Sequence, residues 1–252
     1  MAKSSKTRKS SKKESDSKDS AKPRRFRPIR WLFRWFFRLF FGAIAVVLLA
    51  VVAFAVLNPP TTPYMLQERQ RLGDVTQDWV ALAEISPHMA RSAVAAEDAN
   101  FCEHWGLDLN AIRLAMTDGS GRGGSTISQQ VVKNVYLWHG RSYVRKALEA
   151  LMTPVVEAVW SKRRILEVYL NVAEFDEGVF GVEAAAQHYF GVSAAALTAT
   201  QASRLAAILP DPKGRSASSP SDFVVRRART IADGAATIRA DGRAACFGGD
   251  ED

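Results

Sequence analysis

Two adjacent carboxylates, Glu97 and Asp98, follow a run of small apolar residues in this 252-residue chain. An aromatic residue, a histidine and a glycine come soon after them, at Phe101, His104 and Gly106. A carboxylate set against apolar surroundings loses hydration, which raises its pKa and suits it to acid or base chemistry near neutral pH. A capped surface turn explains these residues equally well, so the rest of the chain has to decide.

A glycine-rich segment and a second acid supply further candidate groups. Residues 118–124 contain four glycines, which predicts a mobile lid or a close approach of backbone to ligand, with a flexible surface loop as the alternative. Thr126 and Gln129 fit a capping box, and the amides at such a helix N-terminus attract anions. Arg145 and Glu149 lie four residues apart, so a helix presents them together, although a solvated ion-pair face has the same spacing.

The net charge of +8 is distributed unevenly along the chain. The first 57 residues hold 14 of the 34 Lys and Arg residues but only 3 of the 26 acids. The remainder is mildly acidic, which argues against a nucleic-acid partner. The two cysteines, Cys102 and Cys246, have no neighbours at metal-ligand spacing, and their positions do not predict a disulfide between them.

The N-terminal region predicts a membrane anchor. Residues 1–26 form a basic, polar segment that we expect to be disordered and cytoplasmic. Residues 27–58 combine arginines and aromatics at helical spacing with about 19 uncharged residues, enough to cross a hydrocarbon core of about 30 Å. A cleaved signal peptide is the alternative, but the apolar run exceeds the usual length. Because Lys and Arg crowd only its N-terminal side, the positive-inside rule places the body outside the cytoplasm.

The body is predicted to be one mainly helical domain, residues 85–239, with a connector at 59–84 and a disordered tail at 240–252. Ser86 is a predicted N-cap before Pro87, and Thr198 fits a capping box. No strand alternation of useful length occurs. A helix over residues 141–160 is expected to turn an apolar stripe toward the core, consisting of Val144, Leu148, Leu151, Val155 and Val159.

Four motifs occur in order along this body. They are Glu97-Asp98-x-x-Phe101-x-x-His104-x-Gly106, Gly123-Gly-Ser-Thr-Ile-Ser-Gln-Gln130 with Lys133-Asn134, Arg145-Lys146-x-x-Glu149, and Lys162-x-x-Ile165-x-Glu167-x-Tyr169-Leu-Asn171. Over roughly residues 85–229 the sequence strongly resembles the peptidoglycan glycosyltransferases of family 51. Two stretches, Leu137-Trp-His-Gly-Arg141-Ser and Trp160-Ser-Lys-Arg-Arg164-Ile-Leu-Glu-Val-Tyr-Leu-Asn171, resemble more narrowly the monofunctional biosynthetic transglycosylases. The resemblance implies a mainly α, lysozyme-like helical glycosyltransferase domain preceded by one transmembrane helix.

The resemblance also implies roles for individual residues. Glu97 is expected to be the general base for the 4-hydroxyl of the acceptor sugar. Glu149 is expected to be the second catalytic acid, orienting Arg145 or holding a divalent metal, Mg or Mn, against the diphosphate. The implied substrate and diphosphate ligands are Thr126, Gln130, Lys133 and Arg145, and the implied pocket-shaping residues are Asp98, Phe101, His104 and Ser125.

The implied activity is polymerisation of lipid II into β-1,4-linked glycan strands with release of undecaprenyl diphosphate, without transpeptidase activity. The expected partners are lipid II, the growing lipid-linked strand, the bacterial inner membrane and cell-wall synthesis or division proteins, with no nucleic acid. Tyr136, Leu137 and Trp138 are candidate lipid-facing residues. The rival functions are a lysozyme-like lytic glycosidase, which has no use for cations beside its second acid, and a non-catalytic cell-wall scaffold.

Overall fold

The computed structural model describes residues 28–110, 113, 124–140 and 142–248. The predicted tail at 1–26, most of the glycine-rich segment and residues 249–252 lie outside the described residues. The chain divides into two compact units, residues 1–44 and residues 45–252. The described helices are α1 Pro28–Phe54, α2 Pro63–Leu72, α3 Pro87–Glu97, α4 Ile127–Tyr136, α5 Tyr143–Val159, α6 Lys162–Val172, α7 Val182–Phe190, α8 Ala199–Ile208 and α9 Asp222–Ala240.

Helix α1 is the candidate membrane span. Its segment Ile29–Phe54 has 26 residues and a mean hydropathy of 2.6 in its most apolar window, and almost all of that window is exposed. At 1.5 Å per residue this segment is about 39 Å long, enough to cross a bilayer core. Length and composition therefore agree with the predicted single anchor.

The body packs its helices in two groups. Helices α3, α8 and α9 contact one another, and α4 packs against α5 and α6. The predicted capping boxes of α4 and α8 are confirmed, with Thr126 and Thr198 accepting the amides of Gln129 and Gln201. Ser86 is the N-cap residue of α3 and Pro87 its first residue, as predicted, but the Ser86 hydroxyl donates to the carbonyl oxygen of Leu197, 2.8 Å away, and makes no capping hydrogen bond.

The predicted core stripe of α5 is also wrong. Val144, Leu151 and Val159 are 66%, 71% and 42% exposed, and Leu148 and Val155 are not fully buried either. The buried residues of α5 are Glu149, Thr153 and Val156. The apolar pattern correctly predicted an amphipathic helix. Periodicity alone does not show whether the apolar face packs against the core or stays exposed.

A small sheet completes the body, although none was predicted. Strands β1 Thr76–Gln77, β2 Glu174–Asp176 and β3 Val179–Phe180 lie in the order β1-β3-β2, with β1 parallel and β2 antiparallel to β3. Segments of two or three residues are too short for an alternating pattern to be recognised.

The predicted connector is packed onto the body rather than held apart from it. Met65 of α2 is 2% exposed, and the buried carboxylate of Glu68 is paired with Arg71 and Lys213. Further along, Asn171 of α6 both donates to and accepts from the backbone of Val80. Residues 59–84 therefore share the hydrophobic core of the domain.

The predicted disorder of the C-terminal tail is wrong for residues 240–248. Residues 241–248, here called the C-terminal strap, are joined to the loop after Glu97 by a disulfide between Cys102 and Cys246. Phe247 is 3% exposed, and its ring lies 6.2 Å from that of Phe101. Burial of one aromatic ring and a covalent bond offset the chain entropy that the polar composition of the segment suggested.

Candidate active site

Glu97 lies at the last position of α3, where its side chain is 14% exposed. The side-chain amide of Gln130 on α4 donates to Oε2 of Glu97 at 2.9 Å. Oε1 is buried and has no hydrogen-bond partner among the described residues. A buried carboxylate oxygen without a partner costs on the order of 1–3 kcal/mol, so such atoms concentrate where function requires them. This oxygen is the one available to accept a proton.

Burial raises the pKa of Glu97 above its ordinary value, and Asp98 adds to this as a neighbouring negative charge. The hydrogen bond from Gln130 and the positive charges of Arg227 and Lys133 oppose the increase in this pKa. The direction is the one a general base near neutral pH requires, because a carboxylate with an ordinary pKa is a weak base.

Asp98 and His104 hold the loop that follows Glu97. Asp98 accepts the backbone N–H of Ile127 at 3.0 Å with Oδ2 and lies 2.7 Å from Nε2 of His104 with Oδ1. Nδ1 of His104 accepts the N–H of Gly106 at 3.1 Å, which assigns the ring proton to Nε2. Gly106 has φ +77°, and a Cβ there would lie 2.5 Å from Cγ2 of Thr153. Only glycine fits this position.

The C-terminal end of this loop, at His104, accepts a hydrogen bond from Lys162, a residue that was not among the predicted site residues. Nζ of Lys162 donates to the carbonyl oxygen of His104 at 2.7 Å and to Glu157 at 2.8 Å, and it lies 4.5 Å from the ring centre of Phe101. Glu157 also accepts the hydroxyl of Ser128. Lys162 opens the fourth motif, so its position in that motif was the available signal.

Glu149 has surroundings of the opposite kind. Its side chain is 2% exposed, Oε2 accepts Nη1 of Arg145 at 2.5 Å, and Oε1 accepts Nζ of Lys146. Nε of Arg145 donates to the carbonyl oxygen of Gly140 at 3.0 Å, and Nζ of Lys146 donates to Oγ of Ser125 at 3.0 Å. The predicted pairing of Arg145 with Glu149 is present, and Lys146 completes it.

Lys133 links the two acids. It lies on α4 one turn beyond Gln130, and its charge interacts with both Glu97 and Glu149. Burial lowers the pKa of Lys133, Arg145 and Lys146 lower it further, and the two carboxylates raise it. Arg145 and Lys146 are paired with Glu149, and the charge of Lys133 interacts with it; these three basic residues are here called the cationic cluster. Such a cluster suits a phosphate or diphosphate group.

A cavity of about 230 Å³ opens beside Glu97. Its lining includes Glu97, Asp98, Asn100, Ser125 and Thr126. The cavity thus joins the end of α3 to the start of α4, where the amides of a helix N-terminus lie.

Some of the predicted site residues line the cavity, and others are buried away from it. Asp98 and Ser125 line the cavity, whereas Phe101 is fully buried beneath the loop, in contact with Phe247. Thr126 lines the cavity too, but its hydroxyl donates to the carbonyl oxygen of Gly106. Lys146 was not selected as a site residue, although it lies beside Arg145 in the third motif.

The described residues do not offer a ready metal site. They contain no group of three His, Cys, Asp or Glu side chains that could hold a metal ion. Both oxygens of Glu149 already accept from cations, so a divalent ion there would have to displace Arg145 or Lys146. The expected Mg or Mn therefore stays a prediction.

Comparison with known proteins gives a consistent result. The transglycosylase family matches residues 65–236. A biosynthetic peptidoglycan transglycosylase of Jannaschia sp. (strain CCS1) is 66% identical over 218 residues, 86% of this chain and 90% of that protein. Proteins of the same name from Caulobacter vibrioides and Pseudomonas syringae pv. syringae are 47% and 50% identical, over 78% and 73% of this chain and 88% and 82% of theirs.

Proposed function

The chain belongs to the transglycosylase family, and from that premise we propose that it polymerises lipid II into β-1,4-linked glycan strands of peptidoglycan. The observation that carries this proposal is the contrast between two largely buried acids: Glu97 has one carboxylate oxygen without a hydrogen-bond partner among the described residues, and Glu149 is paired with the cations of the cationic cluster. The first suits removal of a proton from an acceptor hydroxyl, and the second suits a departing diphosphate.

In the proposed reaction, Oε1 of Glu97 takes the proton of the acceptor 4-hydroxyl. The acceptor oxygen attacks the anomeric carbon of the lipid-linked donor, and the bond from that carbon to the diphosphate oxygen breaks. A single displacement at an α-linked donor inverts the centre and gives a β-linkage. The leaving group is undecaprenyl diphosphate, and the proton stays on Glu97.

The cationic cluster is proposed to bind the donor diphosphate. Lys146 has a side chain 47% exposed, while that of Arg145 is 14% exposed and donates to Glu149 and Gly140. We assign Lys146 and Lys133 the direct contacts, and we assign Arg145, which donates to both Glu149 and the carbonyl oxygen of Gly140, the role of fixing the cluster. Glu149 holds the cations at fixed positions, since its two oxygens are occupied.

The membrane is proposed as the second partner. Nε1 of Trp160, which follows α5, donates to the carbonyl oxygen of Val51 at 2.7 Å, so the end of α5 lies against the last turns of α1. The exposed apolar face of α5 described above begins at that point and suits contact with lipid. Of the candidate lipid-facing residues, Trp138 is 46% exposed but Leu137 is buried.

A bacterial inner-membrane location with a cytoplasmic N-terminus and an extracytoplasmic body is proposed, supported by the basic residues on the N-terminal side of α1. Polymerisation without transpeptidation is supported by the relatives, since this chain covers 90% of the Jannaschia protein. Partners among cell-wall synthesis and division proteins remain predicted.

The test is to supply the purified, detergent-solubilised chain with fluorescent lipid II and to separate the products by size. We expect long glycan strands that lysozyme digests and that the Glu97→Gln variant does not make. Degradation of finished peptidoglycan without strand synthesis would support the lytic glycosidase instead. Absence of both activities would support the scaffold.

A further inference from the structure

Arg227 on α9 approaches the carboxylate of Glu97 at the oxygen that Gln130 of α4 does not bond. Its Nη2 lies 3.9 Å from Oε1 of Glu97, beyond hydrogen-bond distance but close enough for a strong charge interaction. Both Oε1 of Glu97 and Nε of Arg227 are buried without a hydrogen-bond partner among the described residues. The carboxylate of Glu97 and the guanidinium of Arg227 therefore each have an unpaired polar atom, and the two groups are neighbours.

The packing of α9 fixes this approach. Helices α9 and α3 are in extensive contact, and Gly234 lies two turns after Arg227, on the same face of α9. A Cβ at Gly234 would lie 3.3 Å from Cβ of Ala95, two residues before Glu97. The lack of a side chain at Gly234 therefore permits the close approach that brings Arg227 to Glu97.

Other groups also face Glu97. Gln130 and Lys133 face it from α4, and Asp98 is adjacent in the chain. Tyr169 of α6 interacts with it as well, and burial raises the pKa of that phenol so that it stays neutral. Among these groups, Arg227 is the cation nearest the unpaired oxygen.

We propose that Arg227 is a positioning residue for the general base: it keeps Glu97 ionised while leaving Oε1 open to the acceptor hydroxyl. A shorter, hydrogen-bonded contact would occupy Oε1, as Arg145 and Lys146 occupy Glu149, and the carboxylate could not take a proton. No cation at all would leave a desolvated acid protonated at neutral pH. At 3.9 Å from Oε1 of Glu97, Nη2 of Arg227 supplies a positive charge without forming a hydrogen bond to that oxygen. The inference rests on the proposed role of Glu97.

The test compares Arg227→Gln with Arg227→Lys and, as the matched control, with Arg229→Gln, an exposed arginine on the same helix. Strand synthesis is followed from pH 5 to 9. We expect the acid limb of the pH–rate profile to move up by about one unit in Arg227→Gln. It should stay within about 0.3 unit of the wild-type position in Arg227→Lys and Arg229→Gln.

A second measurement needs no activity. The chain is labelled with ¹³C at the glutamate carboxyl carbon, and the Glu97 resonance is identified by its loss in Glu97→Gln and titrated in each variant. The carboxyl of Glu97 should titrate at higher pH in Arg227→Gln and near its wild-type pH in Arg227→Lys. If strand synthesis depends on another base, this titration still reports whether Arg227 acts on Glu97.

A uniform loss of rate with an unmoved acid limb and an unmoved titration would overturn the proposal. Arg227→Met, which keeps the apolar stem of the side chain, replaces Arg227→Gln if the latter does not fold. Folding of every variant is judged by circular dichroism and thermal unfolding.

Discussion

The surroundings of Glu97 and Glu149 differ in how many of the carboxylate oxygens are occupied. Glu97 accepts one hydrogen bond from a neutral amide and leaves its other oxygen unpaired, with the nearest cation at 3.9 Å. Both oxygens of Glu149 are bonded to cations, and its side chain is almost completely buried. A carboxylate whose two oxygens both accept from cations has no free oxygen to offer an acceptor hydroxyl, whereas Glu97 has one. The two acids thereby differ in the chemistry that their surroundings allow.

The two acids also differ in what holds the backbone around them in place. Glu149 lies inside the 17-residue helix α5, whose own hydrogen bonds fix its position. Glu97 is the last residue of α3, and the loop after it depends on tertiary contacts with Lys162, Ile127 and the C-terminal strap. The surroundings of Glu97 are thus set by long-range contacts, and those of Glu149 by its own helix. Variants at the two acids and at the disulfide should therefore behave differently.

The largest expected effect is on turnover in Glu97→Gln. Loss of a general base is expected to reduce the rate of strand synthesis about 10³-fold, because the amide cannot accept the proton of the acceptor hydroxyl. The measurement is the initial rate with fluorescent lipid II. Glu103→Gln, at an exposed position in the same loop, is the control and should retain its rate. A rate within tenfold of wild type in Glu97→Gln would show that the base lies elsewhere.

Glu149→Gln should act differently. Loss of the carboxylate frees Arg145 and Lys146 from their fixed positions, so turnover should fall about 10²-fold. The two cations, one of them largely buried, lose their partner, and the free energy of unfolding should fall by about 3 kcal/mol. Rates and thermal unfolding are measured on the same preparation. A variant with wild-type stability would contradict the assignment of Glu149 as the anchor of the cationic cluster.

Removal of the disulfide tests the dependence of the loop on the C-terminal strap. In the double variant Cys102→Ser and Cys246→Ser, we expect about 4–5 kcal/mol lower stability, since the bond closes a loop of 144 residues. The loop after Glu97 should loosen, and turnover should fall about tenfold. Treatment of the wild-type chain with a reductant should give the same losses, and the double variant should not respond to it. Equal stability of the reduced and oxidised chains would refute the coupling.

The smallest expected effect is on the unfolding temperature of Glu97→Gln. It should increase, whereas the preceding two variants should lose stability. Burial raises the folded-state pKa of Glu97 above its unfolded value. The free energy of unfolding therefore decreases as the pH rises through the folded pKa, because the buried carboxyl has to ionise. The neutral amide avoids that loss. At pH 8 the variant should unfold about 2–4 °C higher than wild type, a gain of about 1 kcal/mol, and the difference should disappear at pH 4. A lower unfolding temperature at pH 8 would mean that the ionised carboxylate is stabilised rather than desolvated.

Several features followed from the sequence because their causes are local. The capping boxes at Thr126 and Thr198, the length of α1 and the pairing of Arg145 with Glu149 depend on residues within a few positions of one another. Motifs in their order were enough to identify the family, since each one is a short continuous stretch.

Other features were decided only by the tertiary structure. The apolar face of α5 was visible in the sequence, but its exposure depends on what surrounds the helix. The disulfide joins positions 144 residues apart, and the approach of Arg227 to Glu97 joins positions separated almost as far. Hydrophobic periodicity and capping act over single turns of a helix, whereas the vacant oxygen of Glu97 results from the packing of three helices around one carboxylate.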